Sequence, residues 1–210
     1  MSKNAFITFE GGEGAGKTTQ IRLLADHLRK AGRDVVQTRE PGGSPAAEEV
    51  RQLLVTGAAE RWSPLAETLL FYAARVEHWR EVIEPALQRG AVVLCDRFAD
   101  STMAYQAYAG GLPLAVLKQL HDLVLPGVEP DMTVVLDLPV SEGLKRAADR
   151  PGVETRFEGK GTQFHEKLRS GFLEIAKQNP ARCIVLDGRA GISSVHQLVV
   201  AAVKSRLNLG

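Results

Sequence analysis

Eight residues constrain this chain more than any others: Gly11-Gly12-Glu13-Gly14-Ala15-Gly16-Lys17-Thr18, which match Gly-x-x-x-x-Gly-Lys-[Ser/Thr] without a mismatch. Before them lies the apolar, β-branched run Ala5-Phe6-Ile7-Thr8-Phe9, a predicted strand. After them, residues 17–31 place Ile21, Leu24, Ala25 and Leu28 on one helical face, and Gly32 follows as a stop. Strand, glycine loop and helix in that order form a cradle for phosphate. Glycines let the backbone curl so that successive N–H groups face an anion, and the helix N-terminus adds its positive end. Lys17 is spaced to reach the β and γ phosphates of a nucleoside triphosphate, and the Thr18 hydroxyl suits Mg²⁺. Thr19 continues the loop into the helix, so residues 11–19 are the expected ATP-binding set.

The remainder of the chain alternates strand-like and helix-like segments, which predicts an α/β fold with a parallel five-stranded sheet flanked by helices. Strands are expected at about 5–10, 34–38, 91–95, 132–137 and 182–187, and helices at 17–31, 63–89, 99–125, 140–149, 162–178 and 191–207. Ser63 suits an N-cap and Pro64 the first helical position, whereas Pro85 predicts a kink or break near residues 81–84. Gly110-Gly111 should interrupt the helix spanning 99–125. No linker divides the 210 residues, so one domain is expected, including a charged, glycine-bearing segment at about 146–160 read as a mobile lid.

Composition narrows the partners. With 26 Lys+Arg against 25 Asp+Glu the net charge is +1, which gives no bulk attraction to nucleic acid or an acidic membrane. No segment approaches the roughly 18 apolar residues that a membrane span needs. The opening MSKNAFITFE breaks too early for a secretory signal. Cys95 and Cys183, distant in sequence and each within an apolar run, read as buried free thiols, and together these features predict a cytoplasmic location.

A phosphate cradle leaves the reaction open. The chain lacks Asn-Lys-x-Asp for reading guanine and the Leu-Ser-Gly-Gly-Gln transporter signature, and it is short for a motor. A transferase needs arginines facing the cradle to hold a second anion, and Arg39, Arg75, Arg97, Arg146, Arg150 and Arg156 are available. Asp96, ending a predicted strand beside Arg97, is the preferred Mg²⁺-side carboxylate, acting through water; Asp137 has the same local logic and remains the alternative. A small-molecule kinase, for example one acting on a nucleoside monophosphate, and a regulatory ATPase with no acceptor both fit the cradle.

Four further stretches carry a resemblance. They are Phe9-Glu10 leading into the cradle and Thr19, then Thr38-Arg39-Glu40-Pro41-Gly42-Gly43-Ser44, then Leu70-Phe71-Tyr72-Ala73-Ala74-Arg75, then Asp96-Arg97-Phe98 with Ser101-Thr102 and Tyr105-Gln106. In this order, across nearly the whole chain, the sequence resembles the bacterial thymidylate kinases, a family of P-loop nucleoside monophosphate kinases. The resemblance implies transfer of the γ-phosphate of Mg²⁺-bound ATP to dTMP, giving dTDP and ADP for dTTP biosynthesis, by a homodimer. It implies that Phe71 stacks on thymine, that Arg75 bonds O4, and that Thr102 approaches N3. Arg97 would hold the 5′-phosphate with Arg39 nearby, and Ser101 and Gln106 belong to the same acceptor site. Glu13 would meet the 3′-hydroxyl region or Mg²⁺-bound waters, and Tyr105 would crowd the 2′ position. Catalytic arginines would come from the lid, with Arg146, Arg150 and Arg156 as candidates. The chain departs from the family pattern at Phe98, where a Tyr or His is common. On residue chemistry alone, Phe71 and Tyr105 also read as packing residues, and Arg75 as a solvated helix residue.

Overall fold

Apolar runs whose side chains alternate between two covered faces can only be strands of a buried sheet. In the computed structural model, which describes residues 4–58, 60–148, 156–157 and 159–209, five such runs form it. They are β1 (Ala5–Glu10), β2 (Val35–Arg39), β3 (Val92–Asp96), β4 (Met132–Asp137) and β5 (Cys183–Asp187), in the order β2-β3-β1-β4-β5. Every pairing is parallel, as expected. Central β1 is buried along its whole length, while the edge strands β2 and β5 expose alternate residues.

On one face, Ile7 and Phe9 of β1 pack with Val92, Leu94, Val134 and Leu136 beneath α1 (Lys17–Lys30) and α9 (Ile192–Leu207). On the other, Phe6 packs with Val93, Cys95 and Phe98, and Val135 packs with Leu168, Phe172 and Ile175 of α8 (Thr162–Gln178). Burying each such side chain contributes about 1.5–3 kcal/mol. Both cysteines are free and buried.

Between β2 and β3 the chain forms α2 (Pro45–Val55) and α3 (Pro64–His78), then one π-helical turn (Trp79–Ile83) leading directly into α4 (Glu84–Gln88). Of the kink or break expected near residues 81–84, the chain shows no break but this local widening: it accommodates a ring that lacks N–H, and the helix continues. Helix α2 lies outside the helices expected from sequence, although Ser44-Pro45 repeats the start signal at Ser63-Pro64, where the Ser63 hydroxyl accepts from the Ala66 N–H at 3.3 Å. After β3 come α5 (Ala99–Thr102), a second π-helical segment (Met103–Ala109) and α6 (Leu114–Val124), separated at Gly110-Gly111 as expected. After β4 comes α7 (Val140–Ala148). Of the expected lid, residues 149–155 and 158 lie outside the described residues; 146–148 end α7, and 159–160 lead toward α8.

The sheet's topology positions the site. From β1 the chain crosses to β2 on one side, and from β3 it crosses over β1 to β4 on the other. The carboxyl ends at this reversal open a crevice, where sheets of this kind bind ligands. Register sets Phe9 beside Asp96, and Arg39 beside Asp96, at that edge.

Candidate active site

The loop after β1 curls tightly because its glycines allow it. Gly11, Gly14 and Gly16 have φ of 131°, 68° and 94°. A Cβ on Gly14 would collide with the Gly143 carbonyl of α7, and one on Gly143 would collide with the Glu13 carbonyl, so loop and helix touch backbone to backbone. Within the curl, the Lys17 ammonium donates to the carbonyls of Gly11 (3.2 Å) and Gly12 (3.0 Å). Burial, and then the neighbouring Arg97, lower its pKa to about 8 against the pull of Asp96, Glu13 and Glu10. The Thr18 hydroxyl donates to Asp96 Oδ2 at 2.7 Å. These paired oxygens at the mouth of the cradle are the hard donors that Mg²⁺ takes while keeping several waters, so the residues present fit that ion. The Asp137 carboxylate is instead held in a two-point ion pair by Arg169, at 2.7 and 2.9 Å.

Arg97 follows β3 with φ 70°, a left-handed conformation costing roughly 1–2 kcal/mol in a non-glycine residue. Its N–H is tied to the Phe9 carbonyl at 3.0 Å. The guanidinium donates to the Gly11 carbonyl (3.0 Å), the Ser101 hydroxyl (3.2 Å) and Glu13 (3.2 Å), and lies 5.1 Å from the Tyr105 ring centre. Tyr105 also donates its hydroxyl to Glu13. Burial pushes the Glu13 carboxyl up, but Arg97, Lys17 and Tyr105 outweigh it and hold the pKa at about 2. Glu13, Arg97, Ser101 and Tyr105 are thus one cluster at the lip of the cradle. Arg39 and Arg51 line the same cleft. Arg39 pairs with Glu48 of α2 at 3.1 Å, and Arg51 donates to the Pro41 carbonyl. Sequence reasoning missed Arg51 because it left α2 unassigned; its signal was the Ser44-Pro45 start.

A second cluster lies on α3. Arg75 is only 1% exposed, so it is no solvated helix residue. Its Nε donates to Glu40 Oε2 at 2.7 Å and its Nη2 to Thr102 Oγ1 at 2.9 Å, while the guanidinium lies 4.8 Å from the Tyr72 ring centre and 5.2 Å from that of Phe98. Phe98, which departs from the family pattern, therefore serves as an apolar wall beneath Arg75 and packs edge-on against Phe6. Glu40 also contacts His78 Nδ1 at 3.1 Å, and His78 Nε2 contacts the Thr38 hydroxyl at 2.6 Å. Arg75 Nη1 is buried without an acceptor among the described residues.

Half-buried Phe71 has its ring centre 6.2 Å from that of Phe157, and Phe157 lies 5.5 Å from Tyr105. Gln106 donates to Glu67 Oε2 at 2.7 Å. Glu67 is ion-paired with Arg156, which is 4% exposed and donates to the carbonyls of Leu54 (2.9 Å) and Ala58 (3.1 Å). Arg156 is thereby engaged with α2 and α3. Arg146 donates to the Gly188 carbonyl at 3.2 Å, beyond the end of β5. Arg150 lies outside the described residues.

Comparison with known proteins places this geometry. The family model described as "Thymidylate kinase" matches residues 9–199. A thymidylate kinase of Caulobacter vibrioides is 56% identical over 209 residues, covering 100% of both chains. One of Geotalea uraniireducens is 48% identical, covering 98% of this chain and 99% of that one. The crystal structure of thymidylate kinase from Ehrlichia chaffeensis superimposes with a TM-score of 0.77 at 39% identity, covering 96% of this chain and 99% of that one. A cradle facing an arginine cluster, within a full-length match to this family model and these relatives, leads to one conclusion: the chain belongs to the thymidylate kinase family.

Proposed function

We propose that the chain, acting as one kinase domain, transfers the γ-phosphate of ATP to dTMP, with the triphosphate in the cradle of residues 11–19 and the acceptor phosphate on Arg97. The observation carrying this reading is the position of Arg97, whose guanidinium touches the Gly11 carbonyl and Ser101 together. One cation there stands between a phosphate in the cradle and a phosphate arriving from the α3 side. Phe71, Arg75, Thr102 and Gln106 form the base side, Tyr105 and Glu13 the sugar side, and Arg39 and Arg51 the open wall.

Charge stabilisation does most of the work in phosphoryl transfer. Lys17 supplies a cation at the transferring group, Arg97 neutralises the acceptor, and Arg146 and Arg150 are the candidates for lid-side contacts. Mg²⁺, held through Thr18 and water-mediated Asp96, would neutralise charge on the triphosphate. No general base is required, because a phosphate monoester has a second pKa of about 6 and is an oxyanion at neutral pH. Orientation of two bound anions in a crevice that excludes water then favours the acceptor over hydrolysis.

We also read a homodimer in a reducing, cytoplasmic setting. Leu53 on α2 and Leu65 and Leu69 on the neighbouring α3 are 40%, 47% and 50% exposed, apolar side chains that a second copy would cover. No helix among the described residues is long and apolar enough to cross a membrane. The deciding experiment for the activity measures ADP release with and without dTMP. Release that depends on dTMP supports the transferase, and release at the same rate without it makes the chain an ATPase.

A further inference from the structure

Glu10, the last residue of β1, has no solvent exposure and no part in the chemistry above. Strand alternation turns it away from Phe9 and toward the start of α5. Its Oε1 accepts from the Phe98 N–H at 2.8 Å, and its Oε2 accepts from the Ser101 hydroxyl at 2.5 Å. Both donors lie just after Arg97. Phe98 is the next residue, and Ser101 receives Arg97 Nη1 at 3.2 Å. Arg97 itself keeps its left-handed backbone, which persists only where surrounding contacts over-determine it. Nearby Asp100 is already engaged by Arg182, at 2.6 and 2.8 Å, and by Thr133.

Burial, and then Asp100, push the Glu10 carboxyl above the usual carboxylate range, although Ser101, Arg97 and the Phe98 N–H pull the other way. The fold thus bears a cost for an acid here that an apolar residue would not incur. We propose that Glu10 is a positioning residue for the acceptor-phosphate arginine: by gripping Phe98 and Ser101 it fixes the turn that carries Arg97 and orients its guanidinium. This rests on the reading of Arg97 given above. A glutamine cannot replace the grip. With its oxygen on the Phe98 N–H, its amide donates to Ser101 Oγ, which already receives Arg97, and the serine proton loses its acceptor. With the amide reversed, two N–H groups face each other.

The test is steady-state kinetics of Glu10→Gln, alone and combined with Arg97→Ala. Glu10→Gln is expected to raise KM for dTMP ~10-fold while KM for ATP and kcat move by less than about three-fold. In the Arg97→Ala background the same change should add less than about two-fold, because the group it positions is gone. Equal increases in both KM values, a fall in melting temperature with KM for dTMP unchanged, or full multiplication of the two effects would each overturn the proposal. Glu10→Asp, which keeps the carboxyl group but retracts it, carries the same measurement if Glu10→Gln does not fold. Arg97→Ala alone separates the premises: an unchanged KM for dTMP there would refute the role of Arg97 whatever Glu10 does.

Discussion

Lys17 should take up a proton when ATP binds. In the ligand-free cradle its ammonium is buried among carbonyls and beside Arg97, with a pKa of about 8 against 10.5 for an ordinary lysine. Triphosphate oxygens in the same cradle favour the charged form and return the pKa at least to its ordinary range. The sign follows: between about pH 8 and pH 10 the bound state holds more protons than the free state, so binding absorbs them and affinity falls as pH rises. Lysine with a pKa of about 8 is half protonated at pH 8, so uptake there is about 0.5 proton per site. Near pH 9 it rises toward about 0.9, and at pH 7 it shrinks to about 0.1. ATP is fully ionised above pH 8, so its own titration adds little. Calorimetric titration of Mg·ATP into the protein, in buffers of different ionisation enthalpy at pH 7, 8 and 9, reads this number directly. Lys17→Arg provides the control, since arginine stays protonated throughout. Uptake near zero at pH 8 and 9, or uptake that survives in Lys17→Arg, would refute the reasoning.

Other expectations concern the walls of the site. Arg156→Ala leaves Glu67 buried without its cation, so unfolding free energy should fall by about 3–5 kcal/mol in denaturant titration; a change under about 1 kcal/mol would show that the pair is dispensable. Gly143→Ala drives a Cβ into the Glu13 carbonyl, and at a cost of about 1–3 kcal/mol it should also raise KM for ATP more than KM for dTMP. Acceptor order in kcat/KM should be dTMP, then dUMP lower by roughly 10 to 200-fold for its missing methyl, then dCMP lower by ~10⁴ because its 4-amino group meets Arg75 as donor against donor. A dCMP value above that of dUMP would remove Arg75 from base reading.

The parts of this molecule legible in the sequence were those set by short-range rules. Strand runs and the glycine cradle declare themselves locally, since each backbone requirement is met by residues within a few positions. Asp96 and Arg97 were legible as strand-end residues, because a parallel sheet sends every carboxyl end to one edge. What escaped depended on long-range pairing. Glu10, from β1, closes on Ser101, 91 positions away. Arg156 and Glu67 meet across the α2–α3 wall, although the arginine alone reads as one of several lid charges. Pro85 marked a disturbance, but whether a helix breaks or widens there is decided by packing around it, which no local pattern records. Arg75 is the sharpest case: helical period and charge suggest solvent, and only Glu40, Tyr72 and Phe98 from other elements make its burial possible.

That burial also explains why such a costly arrangement is retained. A buried ion pair adds little net stability, since desolvation consumes most of what the contact returns, and apolar side chains of similar volume often serve a core as well or better. Stability alone is thus a weak reason for the chain Arg75–Glu40–His78–Thr38. Its geometric effect is to pin a planar guanidinium by Nε and Nη2 while Nη1 has no acceptor among the described residues. An acceptor oxygen brought to Nη1 gains a charge-assisted hydrogen bond without any reorganisation, because the donor is already fixed. A ligand presenting a donor at that point gains nothing and must itself be desolvated. If the base of the acceptor reaches Nη1 as proposed, the unsatisfied atom turns a cost carried by folding into a difference between acceptors, and the loss of dCMP relative to dUMP is the measurement that reads it.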